Sequence, residues 1–118
     1  MSRYAVLSDI HGNIRALEAV LAHAAARGLD RFLDLGDSVY GPLEPQATAD
    51  RLQALRLAGV RGNEDRALVE PGARTAHASL EYVVGALAPV DRERLAARPR
   101  TAPIPPRDGG LPRRGGVP

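Results

Sequence analysis

A carboxylate and an imidazole two residues apart, Asp9 and His11, stand where a short apolar run, Tyr4 to Leu7, gives way to Gly12 and Asn13. Such a pair on a strand-to-helix turn can ligate one divalent ion. Asp37, which follows Gly36 after a second apolar run, can reach the same ion or bridge to another. An amide oxygen from Asn63, after Gly62, would complete part of that second site. The chain has no Cys, so ligation is confined to nitrogen and oxygen, which suits Mn, Fe, Zn or Mg rather than copper or an iron–sulfur cluster. Two such ions close together can polarise a phosphoryl group and supply a bound hydroxide for in-line attack. Backbone donors at the Asn13 helix start and the Gly62 turn would favour an anionic substrate.

The elements that position these groups follow from apolar periodicity and punctuation. Asn13 is a good N-cap for a helix in which Ile14, Leu17, Val20, Leu21 and Ala24 share a face, and Gly28 ends it. Arg31 to Leu35 reads as a second strand running into Gly36-Asp37. A loop, Ser38 to Glu44, leads to Pro45, which suits the first turn of a second helix with Thr48, Leu52 and Leu55 on one face. Gly59 is expected to close that helix before a very short third strand that ends in Arg61-Gly62-Asn63-Glu64-Asp65. Strand, helix, strand, helix, strand makes two βαβ units with parallel neighbouring strands. Ligands of such sheets bind beyond the carboxyl ends of the strands, and all three polar clusters fall there.

Beyond Asp65 the pattern is helical. Arg66 to Val69 is expected to form a short helix broken by Pro71-Gly72. Thr75 would cap a longer one in which Leu80, Val83, Val84 and Leu87 repeat at amphipathic spacing. Pro89 would open a last helix through Ala97. Residues 1–98 form the folded domain. Residues 99–118 include six Pro, four Gly and four Arg and are expected to be a disordered tail, because they cannot bury enough surface to offset the entropy of ordering.

Composition narrows the function classes. The 118 residues suffice for one core, and with one Phe, three Tyr and no Trp that core is thin and aliphatic. Every basic residue is Arg, which excludes chemistry that needs a lysine. Residues 1–98 hold 12 Arg against 13 Asp and Glu, whereas the tail holds four Arg against one Asp. The basic excess lies in the tail, so no specific nucleic-acid partner is expected of the folded part. No apolar run is long enough for a signal peptide or a membrane span, and a cytoplasmic location is the expectation.

Ser8-Asp9-Ile10-His11-Gly12-Asn13, Leu35-Gly36-Asp37 and Val60-Arg61-Gly62-Asn63 resemble the successive motifs of the calcineurin-like metallophosphoesterase superfamily, and the Ser38 to Pro45 loop is similar to that of its small bacterial branch. The resemblance runs from about Ser2 to Pro99. It implies the N-terminal half of a βαβ sandwich with two divalent ions: Asp9 and His11 on the first, Asp37 bridging both, Asn63 on the second. It also implies hydrolysis of a phosphomonoester or phosphodiester, the substrate being a small phosphorylated molecule. Asn63, Glu64 and Asp65 are the candidate catalytic residues. The family has a His where Glu64 stands. A carboxylate beside two cations has its pKa lowered, so Glu64 is expected to ligate or orient rather than to protonate. The family's later Gly-His motifs have no counterpart, since no His follows His77.

Two readings follow. One is a metal-dependent phosphoesterase. The other is a truncated or frame-shifted, inactive fragment that binds metal weakly at most and exposes a sheet face open to self-association. Taken singly, Asp9 reads as a helix cap, Asp37 as a turn residue and Asn63 as half of a Gly-Asn turn; the ordered set at three strand ends outweighs those readings. His23 and His77 lie in helical stretches and are left outside the site. A receiver-like or haloacid-dehalogenase-like site fails because it needs a second acid where His11 stands and a lysine.

Overall fold

The computed structural model describes residues 3–55, 57–69 and 78–103, and the side chains of residues 63, 64 and 79 lie outside that description. Three short strands, β1 (Ala5–Leu7), β2 (Phe32–Asp34) and β3 (Ala58–Gly59), form one parallel sheet in the order β1-β2-β3. Val6 pairs with Leu33 and Leu7 with Asp34, while Asp34 pairs with Gly59. Helices α1 (Ile14–Ala26) and α2 (Pro45–Leu55) are the crossovers, and α3 (Asn63–Ala67), α4 (Ala78–Ala86) and α5 (Pro89–Ala96) follow. This is the α/β architecture expected from the two βαβ units.

Local chemistry sets the helix ends. Asn13 Oδ1 accepts from Ala16 N at 3.0 Å, an N-cap. At the other end of α1, Gly28 N donates to Ala25 O and Leu29 N to Ala24 O, which satisfies carbonyls that the helix leaves open. Pro45 and Pro89 open α2 and α5, where a missing N–H costs nothing.

Two aliphatic clusters hold the elements together. Leu7, Leu17, Leu21 and Leu52 pack α1 and α2 on the sheet, with Phe32 and Leu55 at the margin. Val39, Leu68, Leu80, Val83, Val84, Leu87 and Leu95 form the second, which joins the loop after β2 to the later helices. The four apolar residues singled out in α4 and its end are all buried. Val20, assigned to the buried face of α1, is instead 45% exposed; it lines a groove beside β1 with Val6 and Ala16.

The helices cover one sheet face. The register puts Val6 and Leu33 on the other face, and Leu35 continues it. Val6 is 57% and Leu35 50% exposed. Parallel sheets bury both faces, so among the described residues this layer is half covered.

Two boundaries differ from the sequence expectation. Gly59 does not close α2; it belongs to β3, and a Cβ there would meet the Arg98 guanidinium at 2.8 Å, so the glycine admits that side chain across the strand. The helix expected at Arg66 begins at Asn63, because the Asp65 carboxylate accepts the Gly62 N–H at 2.8 Å and caps it from within. Pro71-Gly72, Thr75, His77 and residues 104–118 lie outside the described residues. Arg61 N donates to Pro99 O at 3.0 Å, which ties the start of the C-terminal stretch to the end of β3. Among the described residues, no helix is long and apolar enough to cross a membrane.

Candidate metal centre

The loops after β1 and β2 continue the pairing of their strands. Asp9 N donates to Gly36 O at 3.1 Å, His11 N to Asp37 O at 3.1 Å and Gly12 N to Ser38 O at 2.8 Å. This ladder carries Asp9, His11 and Asp37 to one sheet edge. The third loop closes on them: a Cβ on Gly36 would collide with the Gly62 backbone, and one on Gly62 with the Asp37 carboxylate, so glycines let the two loops meet here.

Asp9, His11 and Asp37 are the non-glycine residues with positive φ among those described, at 56°, 52° and 56°. Asp and His tolerate the left-handed region better than bulky residues, yet each still stores backbone strain there. Among the described non-glycine residues, this backbone strain is gathered on three side chains of ligand type.

The first pair is arranged for a cation. His11 Nδ1 lies 2.7 Å from the Tyr40 carbonyl, which can only accept, so Nδ1 carries a proton and the ring is held with Nε2 toward Asp9. That Nε2 stands 3.4 Å from Asp9 Oδ1. The Ser8 hydroxyl donates to Asp9 Oδ2 at 2.6 Å, and with His11 nearby it holds the Asp9 carboxyl below its ordinary value. Asp9 thus offers an ionised oxygen beside an imidazole ring, a donor pair that suits a borderline or hard divalent ion.

Two buried carboxylates brace Asp37 from below. The Asp65 side chain, fully buried, accepts from Asp37 N at 3.0 Å, from Ser38 N at 3.4 Å and from Gly62 N. Burial pushes its carboxyl above the usual range, against the pull of the Gly62 and Asp37 amides and the Arg98 charge. Asp34 accepts from Gly36 N at 3.0 Å, from Ser38 Oγ at 2.6 Å and from Arg98 Nη1 at 2.8 Å. Gly36, Asp37 and Ser38 are thus pinned from two sides.

Of the residues singled out in the sequence, Asp9 and His11 come together and Asp37 joins them on the same edge. Asn63 opens α3 beside Gly62 and Glu64 follows it, but their side chains lie outside the description. Asp65, expected among the catalytic residues, faces inward with its oxygens engaged by backbone amides, which makes it a positioning residue. The Gly62 N–H, expected to face a substrate, is taken by Asp65. Among the described residues, no group of three His, Asp or Glu side chains converges as a complete metal cluster. The sequence reading missed Asp34 and Arg98. A lone carboxylate in the apolar strand Phe32-Leu33-Asp34-Leu35 was the available signal for the first.

Comparison with known proteins bears on the family. The family model described as calcineurin-like phosphoesterase superfamily domain matches residues 3–97. An uncharacterised protein of Methanocaldococcus jannaschii is 39% identical over 64 residues, which are 54% of this chain and 26% of that protein. The crystal structure of a metallophosphoesterase from Sphaerobacter thermophilus superposes with a TM-score of 0.70 at 29% identity, covering 88% of this chain and 43% of the other. The chain therefore spans about a quarter of the one relative and less than half of the other. With its motifs in order along one parallel sheet edge, the chain belongs to the calcineurin-like phosphoesterase superfamily, whose members generally bind divalent metal ions.

Proposed function

We propose that this edge is the metal-binding side of a phosphoesterase centre that hydrolyses a phosphomonoester or phosphodiester of a small molecule. The observation that carries the reading is the coincidence of left-handed backbone with Asp9, His11 and Asp37. Asp9, His11, Asp37 and Asn63 would be the residues that hold two divalent ions there. Mn, Fe, Zn and Mg all fit a donor set of carboxylate, imidazole and amide. When bound, the ions polarise the phosphoryl group and activate water for in-line attack.

The chain's own groups do the remaining work. The Tyr40 carbonyl keeps the His11 proton on Nδ1 and the ring turned toward Asp9. Asp65 and Asp34 fix the loop that aims Asp37. Glu64 would ligate or orient rather than protonate, since a carboxylate beside two cations would stay ionised. The uncovered face of Val6, Leu33 and Leu35 is where a second layer of the sandwich, or a second copy of the chain, would pack.

Partial coverage of both relatives favours a second reading, in which this stretch binds metal weakly and does not turn over alone. Calorimetric titration with Mn²⁺, alongside a chromogenic phosphodiester assay and Asp37→Ala, separates the two. Two equivalents bound with turnover that depends on Asp37 is the expected result for the enzyme. One weak site or none, without turnover, would establish the second reading.

A further inference from the structure

Three arginines gather on the other side of Gly62. Among the described residues, Arg61, Arg66, Arg100 and Gly62 line a small cavity of about 30 Å³, and none of these described lining residues is acidic. The backbone explains the convergence. Arg61 follows β3 and its N–H donates to the Pro99 carbonyl, which sets Arg100 beside it. Arg66 lies in α3, one turn on from Gly62. Arg66 and Arg100 are exposed and Arg61 is half-buried.

Guanidinium groups gathered around one cavity raise the local positive potential and so favour an anion at its mouth. Their planar forks match the oxygens of a phosphate group. A cavity of this size holds about one water-sized group, so it receives oxygens of an anion seated at its mouth and not an enclosed ligand. Gly62 is also the wall against which the Asp37 carboxylate rests. The arginines and the candidate metal centre are therefore separated by a single glycine.

We propose that Arg61, Arg66 and Arg100 form a subsite for a second anionic group of the substrate, a phosphate or pyrophosphate next to the ester that is cleaved. The place of that group in a substrate rests on the phosphoesterase reading; the anion site itself does not. Arg66 has a further interaction within the chain, so Arg61 and Arg100 carry the test. A polynucleotide partner is disfavoured by the near balance of charge over residues 1–98, 12 Arg against 13 acids.

The test is calorimetric titration of the full 118-residue chain, in chelator, with pyrophosphate and with inorganic phosphate. Pyrophosphate is expected to bind about tenfold more tightly than phosphate, and Arg61→Gln or Arg100→Gln to weaken it about tenfold each. Arg3→Gln, at the opposite end of the sheet, is expected to leave it unchanged. Equal affinity in wild type and both glutamine variants, or an equal loss in Arg3→Gln, would overturn the assignment. So would an oligonucleotide that binds more tightly than pyrophosphate. Amide shifts in the wild-type chain give a readout that needs no variant: pyrophosphate is expected to move Arg61, Gly62 and Arg100, and shifts centred elsewhere would sink the proposal. Because metal is absent throughout, failure here leaves the phosphoesterase reading untouched, and that reading fails separately in the Mn²⁺ and Asp37→Ala experiment.

Discussion

Replacing Arg98 with glutamine removes the one guanidinium that, among the described residues, meets Asp34. The Asp34 side chain is fully enclosed, whereas Arg98 retains 16% exposure. The carboxylate would keep the Ser38 hydroxyl and the Gly36 amide but lose its counter-charge. Breaking a buried ion pair from one side costs about 3–5 kcal/mol, and the two surviving hydrogen bonds place Arg98→Gln near the low end, about 3 kcal/mol. The reverse change is milder. Asp34→Asn removes the buried charge and leaves an arginine that can turn toward water, at a cost of about 1 kcal/mol. The double variant should then resemble Asp34→Asn alone, since the unpaired charge is gone from both. Urea unfolding followed by circular dichroism reads all three, and about 3 kcal/mol is a large share of the roughly 5–15 kcal/mol typical of a domain. A loss under about 1 kcal/mol for Arg98→Gln, or a double variant whose loss is the sum of the singles, would refute the buried-charge account.

The remaining expectations concern the edge itself. Gly62→Ala drives a Cβ into the Asp37 carboxylate; it should cost about 1–3 kcal/mol and weaken Mn²⁺ binding in calorimetry more than tenfold, about 1.4 kcal/mol or more. Unchanged Mn²⁺ affinity would show that Asp37 is not a ligand where it now sits. His11 should keep a proton on Nδ1, visible by nitrogen-15 NMR, and a ring protonated on Nε2 alone would contradict the Tyr40 carbonyl contact.

The order of elements was legible because each apolar run ends in a glycine and a polar residue, and because Pro45 and Pro89 mark helix starts. The buried face of α4 was legible from Leu80, Val83, Val84 and Leu87. What escaped was long-range and electrostatic. Arg98 lies 64 residues from Asp34, and nothing in either neighbourhood announces the other. Gly59 read as a helix stop because a glycine near a helix end is ambiguous, and the side chain that requires it there arrives from the far end of the chain. Asp65 read as catalytic by its position after Asn63; its inward turn follows from capping a helix too short to cap otherwise.

The strained backbone connects these omissions to the site. Holding Asp9, His11 and Asp37 at positive φ costs of order 1–2 kcal/mol per residue, and no local sequence preference returns that energy. It has to be offset where the loops are tied down, by the backbone ladder from Asp9, His11 and Gly12 to the Asp37 loop and by the buried Asp34 and Asp65 carboxylates beneath it. Both carboxylates are buried, and each has a partner that only tertiary folding supplies: Arg98 for Asp34, and for Asp65 the Asp37 and Ser38 amides on another loop. A motif search finds the ligands, because the chemistry fixes their identity. The residues that aim them are constrained only by burial and charge, so another pair could replace Asp34 and Arg98 without touching the motif. Stability measured at Asp34 and Arg98 is therefore the more direct probe of whether this edge is built to hold a metal, because strain at the ligands persists only while those ties hold.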